Sequence, residues 1–274
     1  MRLKLRTAAL MLFVAAACPA ARLTPEAERA FDSYITDVEA RLAAEHASAA
    51  LAALSANGAA RDRVERQLRS GILLVEPVHG GTWDAGGALL HHWRGTAFVP
   101  GATAPDMLAL VRDPGHLARY YAPQVVASHA LPAEGKTTSL IRFKKQKIVT
   151  VILDAQFEGR SELIGNAGYS YSRSVHIWQI DHPGTAQEQR RREGRDDGFL
   201  WRLNSYWSFL EAPDGLFIEC EAVSLTRDVP LGLGWLLMPV IQSLPRESLQ
   251  FTLSTTRNVL QTNYHQEAHN DRRD

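Results

Sequence analysis

The sequence predicts an α+β fold: a curved antiparallel sheet closed on one face by a long C-terminal helix, with an N-terminal helical extension. Three observations predict it. From residue 89 onward, one strand-like run, two short helical runs and then about six more strand-like runs follow in order. Successive antiparallel strands of this kind form a sheet with one apolar face. After them, "LPRESLQFTLSTTRNVLQ" reads as a helix with Pro245 in its first turn. Leu249, Leu253 and Leu260 share one face of it, and Thr256 fills the gap between them. Such a helix can cover the apolar face of the sheet.

The chain has 274 residues, 30 Lys and Arg against 30 Asp and Glu, and 45% apolar residues. That is enough for one sizeable core. The balanced charge gives no electrostatic case for a nucleic-acid partner. Arg2, Lys4 and Arg6 precede a short apolar run, Ala8 to Ala17, and small residues follow. This order reads as a secretory signal peptide over residues 1–21, so the protein is expected to be exported, periplasmic or secreted. "VAAAC" also loosely resembles a lipoprotein signal ending at Cys18, but Ala15 stands where leucine is usual. With Cys18 removed or lipidated, Cys220 has no partner for a disulfide, and packing must carry stability.

Residues 22–75 read as the helical extension. Thr24 suits an N-cap and Pro25 the first helical position. Phe31, Ile35, Val38 and Leu42 recur at helical spacing, and Asn57-Gly58 stops the pattern. A second amphipathic piece runs from Arg61 to Leu74. The extension has too little large apolar surface to fold alone, so it is expected to dock on the domain or on a partner. Residues 76–88, with "HGGTWDAGG", read as a linker.

The strand domain is expected over 89–262. "LLHHWRGTAFVP" is its first strand. "TAPDMLALVRDPGHLARYYAP" splits at Pro114 into two short helices, capped by Thr103 and Asp113. "QVVASHAL", "TTSLIRFKKQKIVTVILDAQFEG" and "SYSRSVHIWQID" supply further strands. "QEQRRREGRDDG" reads as a solvated loop. "FLWRLNSYWSFLEAPDGLFIECEAVSLTRDV" is a hairpin turning near Pro213-Asp214-Gly215. Residues 263–274 are a polar tail. This order of elements is the helix-grip arrangement.

Two passages carry a family resemblance. "LVRDPGHLARYYAPQVVASHAL", with Tyr120, Tyr121, Pro123, Val125 and Val126, resembles the helix-to-second-strand passage of START-like (SRPBCC) proteins. "GLFIECEAVSLTRDVPLGLGWLL" followed by "LPRESLQFTLSTTRNVL" resembles their last strand and closing helix. The superfamily includes polyketide cyclases, lipid-transfer START domains and birch-pollen-type allergens. The resemblance covers residues 89–262 and implies a helix-grip fold. It brings no shared catalytic motif, so no catalytic residue is carried over.

Candidate site residues follow from position. His91 and His92 are adjacent on a strand, so they point to opposite faces and cannot share a metal without a bulge. No H-x-H, C-x-x-C or H-E-x-x-H accompanies them, and no metal or cofactor is expected. His91 shares a face with Trp93, and His92 with Arg94; one histidine is expected to be packed and the other at the surface. In the hairpin, a turn at Asp214-Gly215 pairs Leu210 with Glu219, Ser208 with Glu221 and Tyr206 with Val223. Leu203, Ser205, Trp207, Phe209, Ile218, Cys220 and Ala222 then face inward, while Glu219 and Glu221 lie on a solvated outer face. Cys220, buried between two glutamates, is expected to be inert.

A space between sheet and helix would take an apolar ligand. Tyr120, Tyr121, Phe143, Trp178, Trp207, Phe209, Trp235, Phe251 and His91 are its candidate lining. "LGLGWLLMPVI" could be a gate or a membrane-touching lip, or a loop packed on the helix. Three functions are compatible with these readings. One is a carrier or sensor for a hydrophobic small molecule or lipid. Another is a cyclase- or hydrolase-type enzyme that pairs His91 or His92 with Glu219 or Glu221. The third is an interaction module with a filled core.

Overall fold

In a computed structural model, residues 22–48, 50–146, 150–228 and 234–270 are described, and in the last segment side chains are described for 243–262 only. Helix α1 (Pro25–Ala47) starts as the sequence predicts: Thr24 Oγ1 accepts from Ala27 N, and proline stands in the first turn. A short 3-10 turn and α2 (Ala59–Arg69) complete the extension. Then come β1 (Leu74–Asp84), β2 (Ala88–Pro100), α3 (Ala104–Val111) and α4 (Leu117–Tyr120). Strands β3 (Val125–Leu131), β4 (Thr137–Gln146), β5 (Thr150–Ile164), β6 (Ala167–Asp181), β7 (Gln189–Arg190), β8 (Arg202–Ala212) and β9 (Gly215–Arg227) follow. The last element is α5 (Gly234–Asn270).

Eight strands pair antiparallel in the order β1-β2-β9-β8-β6-β5-β4-β3, and β7 adds to β6. The sheet is open, with β1 and β3 at its edges. Helices α3 and α5 pack on one face. There Leu249, Leu253 and Leu260 join Ala97, Val99, Met107, Leu110, Trp207, Phe209, Ile218 and Cys220 in one buried cluster. Thr256 is also buried on this side of α5, as the sequence spacing predicts. Gly95 admits the helix: a Cβ there would stand 3.2 Å from Leu253 Cδ2. The strand order and the helix laid across the sheet are the helix-grip arrangement that the order of elements predicts.

The other face is also covered. Phe31, Ile35, Val38 and Leu42 of α1 pack on Leu90, Tyr206, Val223 and Leu225. The 3-10 turn and α2 bring Leu51, Leu54 and Leu68 against Phe98 and Phe217. The extension thus docks on its own sheet. Each of the large α1 side chains contributes about 1.5–3 kcal/mol through burial, as an upper estimate.

Several expectations are corrected. Residues 76–88 are no linker: most of them belong to β1, which pairs with β2 around an irregularity between Pro77 and Thr82. The glycines that suggested a linker serve this irregularity; Gly81 (φ 81°) packs so tightly on Trp93 that a Cβ would lie 2.9 Å from Cζ2. The 89–262 domain therefore starts about fifteen residues earlier, on a count of strand positions. The hairpin turns one residue sooner than expected, with Ala212 facing Gly215, so Tyr206 opposes Glu221 and Ser208 opposes Glu219. A shift of one turn residue moves every pair by two and leaves the faces unchanged. Helix α5 begins ten residues before Leu244 and continues through Asn270, so much of the expected polar tail is helical. In "LGLGWLLMPVI", residues 231–233 lie outside the described residues, and of the rest only the helical backbone is described. Within the charge run, Arg191 bonds Asp181 and Asp197, and buried Asp196 accepts from Trp201 Nε1, so the loop is tied down as well as solvated. Asp113 does not cap its helix by a side-chain bond; it pairs with His116 at 2.7 Å instead.

Candidate functional site

The pairing registers lay out the helix-side face of the sheet row by row. One row crosses five strands: Gly159, Ser172, Ser205, Ala222 and Trp93. The next holds Ser161, Ser170, Trp207, Cys220 and Gly95. On the other side lie Phe157, Ser174, Leu203, Ser224 and His91, with Leu203 N donating to Ser174 Oγ at 2.9 Å. The middle of this face is made of small side chains. Ser172, Ser205 and Ala222 sit in central strands and point to the helix side, yet they stay partly exposed, as do Trp93, Ser174 and Leu203. A well-packed interface would bury them. Serine, alanine and glycine thus make up the least sealed part of the helix-side face among the described residues, and this is the candidate ligand space.

Several of the predicted aromatic residues lie in the core clusters next to these positions. Trp207 and Phe209 are buried in the helix-side core, and Tyr120 packs against it. Phe143 and Tyr121 pack on the neighbouring cluster of Phe157, Leu153 and Ile177. The Tyr121 hydroxyl lies 2.7 Å from Thr256 Oγ1 of α5, and burial pushes its pKa up to about 12. Phe251 is half-buried on α5. His91 belongs to this face but is sealed at 1% exposure, its Nδ1 2.9 Å from Thr82 Oγ1 and its Nε2 3.0 Å from Thr226 Oγ1. Burial pulls its pKa down to about 4, so the ring is neutral. Cys220 is inert as expected: burial first, then Glu221 and Glu219, push its thiol pKa far up.

Two polar groups on the helix side were not singled out in the sequence. The indole Nε1 of Trp93 is buried with no hydrogen-bond partner. Lys145, on the helix-facing side of β4 two residues from Phe143, reaches across to α5. Its Nζ donates to Ser248 Oγ at 2.9 Å and to Gln124 Oε1. Burial lowers its pKa to about 8, with Glu247 opposing at longer range. The period-two alternation of "LIRFKKQ" places Lys145 on the face of Ile141 and Phe143, and that signal could have found it.

Trp178 is misplaced by the sequence reading. The β5–β6 ladder shifts between Gln156 and Phe157, leaving Val175 as an extra residue. Ser172 and Ser174 therefore face the helix, whereas Trp178 faces away, stacked on His176 with the Arg190 guanidinium 4.4 Å from its ring centroid. Trp235 falls where side chains lie outside the described residues.

The expected solvated outer face is corrected too. Helix α1 and the 3-10 turn cover it, and a polar network lies buried beneath them. His92, Glu219 and Glu221 are 0%, 2% and 1% exposed. Glu221 accepts from Arg41 at 2.5 Å, from Arg94 Nε at 2.8 Å and from His92 Nε2 at 2.7 Å. His92 Nδ1 lies 2.7 Å from the Tyr34 hydroxyl. Burial raises the Glu221 pKa, but the bonds from His92 and Arg41 and the charge of Arg94 outweigh it, so the carboxyl is held well below the usual range. His92 is held down by burial and by both arginines against the pull of Glu221, so it is neutral, donates from Nε2 and accepts from Tyr34. Glu219 accepts from Ala52 N, Ala53 N and Thr96 Oγ1 at 2.9–3.0 Å, and burial raises its pKa despite these bonds. The sheet separates His92, Glu219 and Glu221 from the candidate ligand space. An acid/base pair of either histidine with these glutamates in that space is therefore not formed: His91 lies on one face, the carboxylates on the other.

No protein-family model matches the sequence, and no curated protein matches it. Among solved structures, the chain is similar to a STAR-related lipid transfer protein from Xanthomonas axonopodis, at 20% identity and a TM-score of 0.45, covering 66% of this chain and 98% of that one. It is similar to the Zhui aromatase/cyclase from Streptomyces sp. R1128, at 10% identity and a TM-score of 0.44, covering 65% and 96%. It is also similar to human STARD10, at 9% identity and a TM-score of 0.40, covering 74% and 80%.

Proposed function

We propose that this is an exported START-like protein that binds a hydrophobic small molecule or lipid in the cleft between sheet and α5, as a carrier or sensor without catalysis. One observation carries the reading. The row Ser172–Ser205–Ala222–Trp93 points toward the helix side from central strands, is made mostly of small side chains, and stays partly exposed. A concave, mostly apolar space with aromatic walls and few polar groups suits a ligand of that class. Export rests on the basic start, short apolar run and small residues of positions 1–21. Contact of the "LGLGWLLMPVI" segment with a membrane surface would give such a ligand a route in and out; among the described residues no helix is long and apolar enough to cross a membrane.

Native mass spectrometry of the protein purified from an export-competent host tests the reading. The expected result is a mass above that of the chain, released by organic extraction as an apolar compound, together with loss of residues 1–21. A protein that emerges empty and binds neither a lipid panel nor an uncharged apolar dye overturns it.

A further inference from the structure

We propose that Ser208 and His46 form an acyl-transfer site at the end of α1, one that cleaves small esters through a covalent acyl-serine. The inference goes beyond the proposed function and does not rest on it, since Ser208 shares with Glu219 the side of the sheet away from α5. A recess of about 250 Å³, with the solvent at its mouth included, is lined by His46, Ala50, Leu51, Ile164, Tyr169 and Ser208, among others. Ser208 Oγ lies 2.8 Å from His46 Nε2, a distance at which a base takes the proton of a hydroxyl. Strand β8 fixes the serine, and the last turn of α1 fixes the histidine. The imidazole is stacked flat on Tyr169, with ring centroids 4.5 Å apart and planes 8° apart. Burial, helped by Arg41, lowers the His46 pKa against the pull of Glu45 and Glu221, so the ring is a neutral base.

The wall of the recess also holds a spare donor. Among the described residues the Leu51 N–H makes no hydrogen bond, whereas Ala52 N and Ala53 N are taken by Glu219. A backbone donor of this kind stabilises the charge that grows on an attacked carbonyl oxygen. In the reaction, Ser208 Oγ bonds to the ester carbonyl carbon as its proton passes to His46 Nε2. The bond from that carbon to the alcohol oxygen breaks, and the proton leaves with the alcohol. Water then attacks the acyl-serine and gives a proton to Nε2. Ser208 recovers that proton as the acid departs. Ala50, Leu51 and Ile164 make the recess apolar, and its shallowness suits a short acyl group with the alcohol in solvent.

The experiment treats the full chain with methanesulfonyl fluoride, whose sulfur bonds to an activated serine oxygen as fluoride leaves, and maps the adduct by peptide mass spectrometry. The expected result is an adduct on Ser208 of the wild type, with hydrolysis of p-nitrophenyl acetate lost in parallel. The acetate should turn over faster than p-nitrophenyl octanoate. Ser208→Ala should abolish both adduct and hydrolysis. His46→Gln should slow the modification about a hundredfold or more. The adduct is read on the wild type, so this part of the test needs no variant to fold, and thermal unfolding is measured for both variants. A wild type that gains no adduct on Ser208 overturns the inference. So does a folded His46→Gln protein modified at the wild-type rate, or a folded Ser208→Ala protein that hydrolyses the acetate as before. None of these results bears on ligand binding at the other face of the sheet.

Discussion

His92 Nε2 lies 2.7 Å from Glu221 Oε2 in the interior between the sheet and α1, and the pair is a hydrogen bond from a neutral ring to an ionised carboxylate. The charge of Glu221 is balanced by Arg41 from the extension and Arg94 from β2. One buried carboxylate thus ties the first helix to the middle of the sheet.

Replacing Glu221 by glutamine should cost about 3–5 kcal/mol, because the largely buried guanidinium of Arg94 loses its anion and that of Arg41 loses its buried partner. Arg41→Met should cost less, since its side chain is one-third exposed and can be solvated where it stands. Chemical denaturation of the two variants at neutral pH measures the difference; equal losses would contradict the arrangement.

His91 predicts an acid-sensitive term. Its pKa falls from 6.5 to about 4 on folding, so the unfolded chain binds its proton first as pH drops. The stability it contributes is complete above pH 6.5 and is lost progressively down to about pH 4. The loss amounts to about 3 kcal/mol. His91→Gln should remove this part of the slope. The test is the difference in unfolding free energy between wild type and variant at several pH values, which should narrow from pH 7 to pH 4.

Deleting residues 22–73 should abolish cooperative unfolding and leave a sticky or insoluble protein. It uncovers Leu90, Tyr206, Val223 and Leu225 and strips Glu219 of its backbone donors. A truncated chain that unfolds at the same temperature as the undeleted protein would show that the extension is dispensable.

The cleft gives a paired prediction. Ser205→Phe fills the floor and should abolish Nile red binding with little loss of stability, because the position is only partly buried. Trp93→Phe removes an unpaired donor and should leave the protein as stable or more so, by about 1 kcal/mol. Thermal unfolding with and without ligand reads both.

Local chemistry in this chain was legible wherever one segment decides the outcome. Thr24-Pro25, the Phe31 to Leu42 stripe and the Leu249, Leu253, Leu260 face each state a cap or a buried side without reference to other segments. The split of His91 and His92 follows from the pleat alone. The surroundings of Glu219 and Glu221 were not legible, because what covers them is the 3-10 turn, 167 positions from Glu219, and α1, 180 positions from Glu221, and sequence spacing carries no information on those contacts. Tyr34 and Arg41 offered the one hint, as polar residues a heptad apart beside the apolar stripe. Trp178 failed for a narrower reason: one extra residue at Val175 inverts the alternation beyond it, and nothing in "SRSVHIW" announces the insertion. The orphan indole of Trp93 depends on the exact fit of its neighbours, which only three dimensions supply.

The bonds from Arg41 to Glu221 join residues 180 positions apart. During synthesis the ribosome makes α1 near the start and the strand that receives it near the end. Until β9 has paired between β2 and β8, the first helix has nowhere to go, and closing so long a loop slows folding. Helix α1 is therefore among the last parts of the chain to settle. A partner that held the nascent protein in an unfinished form would find that helix, with its row of phenylalanine, isoleucine, valine and leucine, still free to be gripped.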